Sequence, residues 1–178
     1  LGTSVSISRD GNVFAVSGPK YFANSIWAGR VIIWTRGESI IFGGNSIKGG
    51  IQIGVDNSAE YGDSISLNDD GSIIAISTKK SDTDVGTSTG HIEVKKYNET
   101  TDEWDLLGDE IIGGTANSRT GAVRLNGDGS ILAQTVYFSY QLKIWQYSTP
   151  GVLGGEWTQL GQTIDQESSG DNMGTQPW

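Results

Sequence analysis

One pattern is written three times in this chain: SVSISRDGNVFAVS (4–17) returns as SISLNDDGSIIAIS (64–77) and as AVRLNGDGSILAQT (122–135). Each copy is two short alternating runs around an Asp-Gly, the strongest short-range signal for a β-hairpin. The dipeptides Asp10-Gly11, Asp70-Gly71 and Asp128-Gly129 lie 60 and then 58 residues apart. Spacing of that size marks a repeat architecture rather than one irregular domain.

Within each copy the first arm alternates small and bulky side chains, as Ser4, Ser6 and Ser8 do with Val5 and Ile7, the period of a strand with two unlike faces. The second arm is apolar on both faces (13–16, 73–76, 131–133), which a strand tolerates when both sides of its sheet are covered. Ala15, Ala75 and Ala133 recur at one position in that arm, as expected where a neighbour approaches too closely for a larger side chain. A third strand follows in each copy, at 30–34, 91–95 and 141–145. A fourth run follows it, clear around Trp104 and Trp157 and weaker at 40–43. Four strands in about 55 residues is the size of a propeller blade. The predicted fold is therefore all-β, with three blades of four antiparallel strands forming part of a propeller. The units are 1–60, 61–118 and 119–172, and a further one opens at 173–178. Three blades do not close a ring, so the terminal sheets expect adjoining blades of a longer chain or another copy.

The formal charge of −9 opposes binding to phosphate backbones, which excludes nucleic acid as the expected partner. No stretch approaches the apolar length of a membrane-spanning helix. The absence of Cys removes disulfides, thiolate metal sites and Cys nucleophiles, and leaves the redox compartment open. The sequence starts at Leu1 with no signal-peptide pattern, so a targeting segment is expected either to be absent or to lie outside it.

Leu1-Gly2, Ser17-Gly18-Pro19, Tyr61-Gly62 and Met173-Gly174 resemble the Phe-Gly and Gly-Ala-Pro signatures of FG-GAP repeats, the blades of integrin-alpha-type β-propellers. Arg119-Thr120, Ser77-Thr78-Lys79 and Thr135-Val136-Tyr137 depart from those signatures. The resemblance implies an extracellular or cell-surface location. The resemblance also implies a calcium loop of the form D-x-[DN]-x-D-G-x-x-D, whose alternate carboxylates supply the oxygens a hard cation needs. This chain departs from it: Arg124 and Leu132 flank Asp128-Gly129 at the first and last ligand positions, and Ser66 and Ile74 flank Asp70-Gly71. A tight turn with a left-handed glycine is the better reading, so no cofactor is expected and calcium is disfavoured.

Other candidates divide into contact and chemical sites. The long polar loop 79–90 carries Asp82 and Asp84, and loops of this kind hold function more often than the scaffold does. Trp27, Tyr137 and Tyr140 fall outside the register in which Trp34 matches Trp145 and Trp104 matches Trp157, which marks them as exposed contacts. Asn98 heads an N-glycosylation sequon. His91, the sole histidine, shares its position with Arg30 and Gln141 and reads as an exposed polar slot, since a lone His makes no triad. The acidic run 99–105 reads as a charged hairpin tip.

No catalytic residues stand out. The inner strands offer Ser, Ala, Ile and Val, with Arg124 read as their sole charge. The expectation is thus a non-enzymatic structural or adhesive module that binds a protein or glycan. The alternatives are a propeller hydrolase or lyase, with titratable groups converging at one end of the inner strands, and a calcium-dependent adhesion domain.

Overall fold

A computed structural model describes residues 2–23, 25–37 and 46–167, and among them the chain is all β, with no helix. The first large sheet runs in the order β1 (Val5–Ile7), β2 (Val13–Gly18), β5 (Arg30–Thr35) and β6 (Ser46–Ile53). The second contains β7 (Tyr61–Leu67), β8 (Ile73–Thr78), β9 (His91–Asn98) and β10 (Glu103–Leu106), with β11 (Ile111–Ile112) also on β9. The third repeats this arrangement with β12 (Thr120–Leu125), β13 (Ile131–Val136), β14 (Gln141–Tyr147) and β15 (Trp157–Gln159), and β16 (Ile164–Asp165) on β14. All are antiparallel meanders. A fourth, two-stranded sheet, β3 (Phe22–Ala23) with β4 (Ile26–Trp27), was not expected from the repeat. The architecture is therefore four sheets rather than three, and the described sheets do not close a ring.

Each Asp-Gly lies where the repeat predicts a turn. The N–H of Gly11 donates to Ser8 O and that of Ser8 to Val13 O, and Gly11, Gly71 and Gly129 all have φ near +70°. Asp is not left-handed there. The loop is a four-residue turn closed by a left-handed glycine, not a two-residue turn with both central φ positive. The glycine is also required by packing, because a Cβ on Gly71 would strike Val13 and one on Gly129 would strike Ile73, each in the preceding sheet.

The second sheet lies between the other two. Val13, Ala15, Val31 and Ile33 pack against Ile65, Ile74, Ile76 and Trp104, and Ala75, Ile92 and Val94 pack against Val123, Leu132 and Tyr147. This explains a difference the sequence does not show. Every residue of β8 is buried, whereas β2 and β13 bury alternate residues more deeply, and Ala133 is only half-buried where Ala15 and Ala75 are fully covered.

The expected fourth run of the first copy, 40–43, lies outside the described residues. The strand that completes that sheet is β6, paired with β5 across an irregularity at Ile32/Trp34 and carrying left-handed Gly49 and Gly50. A Cβ on Gly49 would fall inside the indole of Trp104, whose Nε1–H donates to Lys48 O at 2.9 Å. Trp157 repeats the arrangement one sheet on, donating to Leu107 O at 2.8 Å beside Gly108. These tryptophans thus join adjacent sheets. Trp34 instead stacks on Phe14 within its own sheet, at 5.5 Å between centroids, and Trp145 donates to Gln134 Oε1.

Candidate functional site

The inner strands β1, β7 and β12 all begin at the same end of the stack at which β2, β8 and β13 finish. Charged residues that are far apart in sequence meet there around a cleft of about 760 Å³. Lys20 follows β2 and Arg30 opens β5; Glu60 and Asp63 mark the start of β7; Lys79 and Lys80 follow β8; Arg119 precedes β12. Tyr21, Phe22 and Tyr137 supply aromatic wall.

The two carboxylates are each matched by a lysine. Lys80 Nζ lies 2.6 Å from Glu60 Oε1, and Lys79 Nζ lies 3.5 Å from Asp63 Oδ2. Lys20, Arg30 and Arg119 have no carboxylate partner among the described residues. The Nε of each arginine is buried without a hydrogen-bond partner. Their guanidiniums rest on aromatic faces, Arg30 at 4.0 Å from the Tyr21 centroid and Arg119 at 4.7 Å from that of Phe138. A chain of net charge −9 thus gathers three uncompensated cations in one concavity, which favours an anionic occupant.

Burial raises the carboxyl of Asp63 above its ordinary value, and Glu60 adds to the rise, against the opposing pull of Lys79 and Lys80. Such a carboxylate is more basic than a solvated one and is suited to accept a proton. Glu60 and Arg119 both have left-handed backbones, with φ of 62° and 57°, the kind of backbone strain that clusters at functional sites.

The sequence reading missed most of this site. Asp63 lies within β7, so Arg124 is not the only charge on the inner strands. The alignment of Arg119-Thr120 with Tyr61-Gly62 is also shifted. Thr120 pairs with Val136 as Tyr61 pairs with Thr78, so Arg119 occupies the place of Glu60, and the bulge between Tyr61 and Ile65 absorbs the additional residue. Charges at strand ends in equivalent places of successive repeats were the signal available.

The expected contact residues are scattered. Tyr137 lines the cleft, with Lys79 Nζ 4.7 Å from its ring centroid, and exposed Trp27 stands against Phe22 beside Lys20 and Lys80. Tyr140, left-handed at φ 50°, does not line it. Asp82 accepts the N–H of Ser88 within its own loop, and Asp84 is exposed. Asn98 is held by its hairpin, donating to Asp105 and accepting from Thr100 N.

The carboxylates of the three Asp-Gly turns bond inside their loops. Asp10 accepts from Ser8 Oγ and from Asn12 N, and Asp128 accepts from Ser130 Oγ and Ser130 N; these bonds hold both carboxyls below the ordinary value. At Asp70 burial pushes upward, but bonds from Ser72 and Asn68 together with the charge of Lys48 keep its carboxyl low as well.

No family model and no curated protein matches the chain. Solved structures do. The chain resembles Sqt1 of Saccharomyces cerevisiae (TM-score 0.60, 12% identity, covering 93% of this chain and 35% of that one). It also resembles candidate 6-phosphogluconolactonases from Bacteroides fragilis (0.60, 16%, 90% and 38%) and Bacteroides uniformis (0.56, 13%, 92% and 40%). The fold is propeller-type. The chain spans about two-fifths or less of the length of these structures. The expectation of a structural or adhesive cell-surface module is corrected by this comparison: two of these three neighbours are described as 6-phosphogluconolactonases and none of the three as an adhesion protein.

Proposed function

We propose that the three large sheets are consecutive blades of a propeller, each built on a four-stranded meander, with units at 1–60, 61–118 and 119–172. We further propose that the cleft at their common end hydrolyses the ester or lactone bond of a small, anionic, hydroxyl-rich substrate. The observation that carries this reading is the meeting of a half-buried Asp63, its carboxyl raised by burial, with three uncompensated cations in one concavity. The descriptions of the two Bacteroides neighbours make a phosphorylated sugar lactone the first substrate to try.

In such a reaction Lys20, Arg30 and Arg119 hold the anionic group and orient the ring. Asp63 accepts a proton from water as the water oxygen bonds to the lactone carbonyl carbon. Lys79, 3.5 Å from Asp63, faces the negative charge that develops on the carbonyl oxygen. The bond from that carbon to the ring oxygen then breaks, and the proton on Asp63 passes to the departing oxygen, leaving a hydroxy acid.

The test is hydrolysis of 6-phosphoglucono-δ-lactone, followed by pH-stat against the spontaneous rate. Catalysis by the chain that falls at least about a hundredfold in Asp63→Asn supports the assignment. A rate equal to the spontaneous one, or unchanged in Asp63→Asn, contradicts it.

A further inference from the structure

A second group of polar residues, none of which lines the cleft, lies on the second sheet around β9 and β11. His91 and Glu93 alternate on β9 and so share a face. Glu110 immediately precedes β11, which pairs with β9 through Ile111↔Ile92 and Ile112↔His91, so the next step of the ladder brings Glu110 beside Glu93. One imidazole nitrogen and one oxygen from each carboxylate all lie within 4.8 Å of one another.

Three features distinguish this group from an ordinary charged surface. Two carboxylates stand side by side, which is unfavourable without a cation. Lys95 Nζ, 2.9 Å from Glu93 Oε2, compensates one of them, and Glu110 has no ion-pair partner among the described residues. His91 is buried, not the exposed slot its repeat position suggests, and its Nδ1 lies 2.6 Å from Ser81 Oγ, the kind of hydrogen bond that fixes a ligating imidazole. The third feature is independent of the acids. Thr78 pairs with His91 across the ladder and lines the same small cavity as His91 and Glu93. It is only 2% exposed, yet its Oγ1 has no hydrogen-bond partner. An orphaned hydroxyl there wants a ligand or a ligand's water.

We infer that His91, Glu93 and Glu110 form a binding site for a divalent first-row cation of the zinc class. Ser81 accepts the Nδ1 proton and leaves Nε2 as the ligating nitrogen, and Thr78 Oγ1 bonds a water on the metal. One imidazole and two carboxylates suit zinc, which takes nitrogen and oxygen ligands at about 2.0–2.2 Å. At that bond length the three groups draw closer than in the metal-free arrangement, and exposed Glu110 is the one free to move. The cation joins β9 to β11 and so ties the outer part of the second sheet to its centre. This inference does not depend on the hydrolase reading.

Because His91 is the only histidine, its imidazole signals are unambiguous in a long-range 1H–15N spectrum. Titration of the 178-residue chain with zinc chloride should shift those signals to a metal-bound pattern, with calorimetry showing one equivalent bound. Glu110→Gln, an exposed change that spares the core, should weaken binding roughly tenfold or more, and Thr78→Val should weaken it less. Imidazole signals unmoved in a large excess of zinc overturn the site, as does binding that Glu110→Gln leaves unchanged.

Discussion

Ser66 Oγ accepts the backbone N–H of Leu125 at 3.0 Å, joining the inner strand of the second sheet to that of the third. Ser6 meets Leu67 in the same way at 2.9 Å, and Ser4 with Ile65 and Ser64 with Val123 complete the set. An inner strand has N–H groups that point away from its own sheet, and a serine on the neighbour satisfies them. At the corresponding places in the third copy stand Ala122 and Arg124, which supply no hydroxyl.

Removing one of these hydroxyls leaves a backbone donor without its acceptor. Ser66→Ala should lower the unfolding free energy by about 1–3 kcal/mol, because Leu125 N is left in a covered interface. Ser6→Ala should lower it by less, since Ser6 is more accessible. Urea denaturation followed by circular dichroism measures both, and negligible losses in both variants would show that the serines do not join the sheets.

The repeated inner hairpin was legible because its signals are local: Asp, Gly and alternating Ser lie within 14 residues of one another. The outer strand of the first sheet was not, because Gly49 and Gly50 break the pattern that marks a strand. The cleft was the least legible part. Lys20, Asp63, Lys79 and Arg119 form no motif and meet only when three sheets are stacked. Arg119 was further disguised by a one-residue bulge that moves it to the place of Glu60.

Gly49 and Gly50 offer an internal control on sheet-to-sheet packing. Both are left-handed, with φ of 68° and 71°, but a Cβ on Gly50 meets nothing whereas one on Gly49 meets Trp104. Gly50→Ala should cost only the conformational penalty, about 1 kcal/mol. Gly49→Ala should cost on the order of 2 kcal/mol more, since Trp104 must leave its site. Equal melting temperatures for the two variants would contradict the packing of Trp104 on β6.

The Asp-Gly turns give the fold an acid dependence. Asp10, Asp70 and Asp128 are held below the ordinary carboxyl value, so at mildly acidic pH the unfolded chain binds more protons than the folded one. Their contribution is complete above the ordinary Asp value of about 3.9 and is lost as the pH falls through their lower folded values. Melting temperature measured from about pH 6 to about pH 2 should therefore fall more steeply in the wild type than in Asp128→Asn. Parallel curves would remove the turn carboxylates from the explanation.

Asp63 has the opposite sign. Its carboxyl is raised by burial, so the folded chain holds that proton more tightly than the unfolded one, and stability declines as the pH rises from the ordinary value through the folded one. Asp63→Asn should melt higher than the wild type at about pH 7, and the gain should vanish at about pH 3, where Asp63 is protonated. A variant that melts lower at neutral pH would mean that its ion pair with Lys79 outweighs the cost of burial.

The central claim is that an anionic substrate is held where the inner strands begin. It is tested most directly by titrating the 15N-labelled chain with 6-phosphogluconate, the product of the proposed reaction. The account predicts saturable amide shifts concentrated at residues 19–22, 60–63, 79–80 and 119, lost when Arg30 and Arg119 are both replaced by Ala in a chain that remains folded. Shifts confined to the Asp-Gly turns at the opposite end of the strands, or no shifts at all, would contradict it.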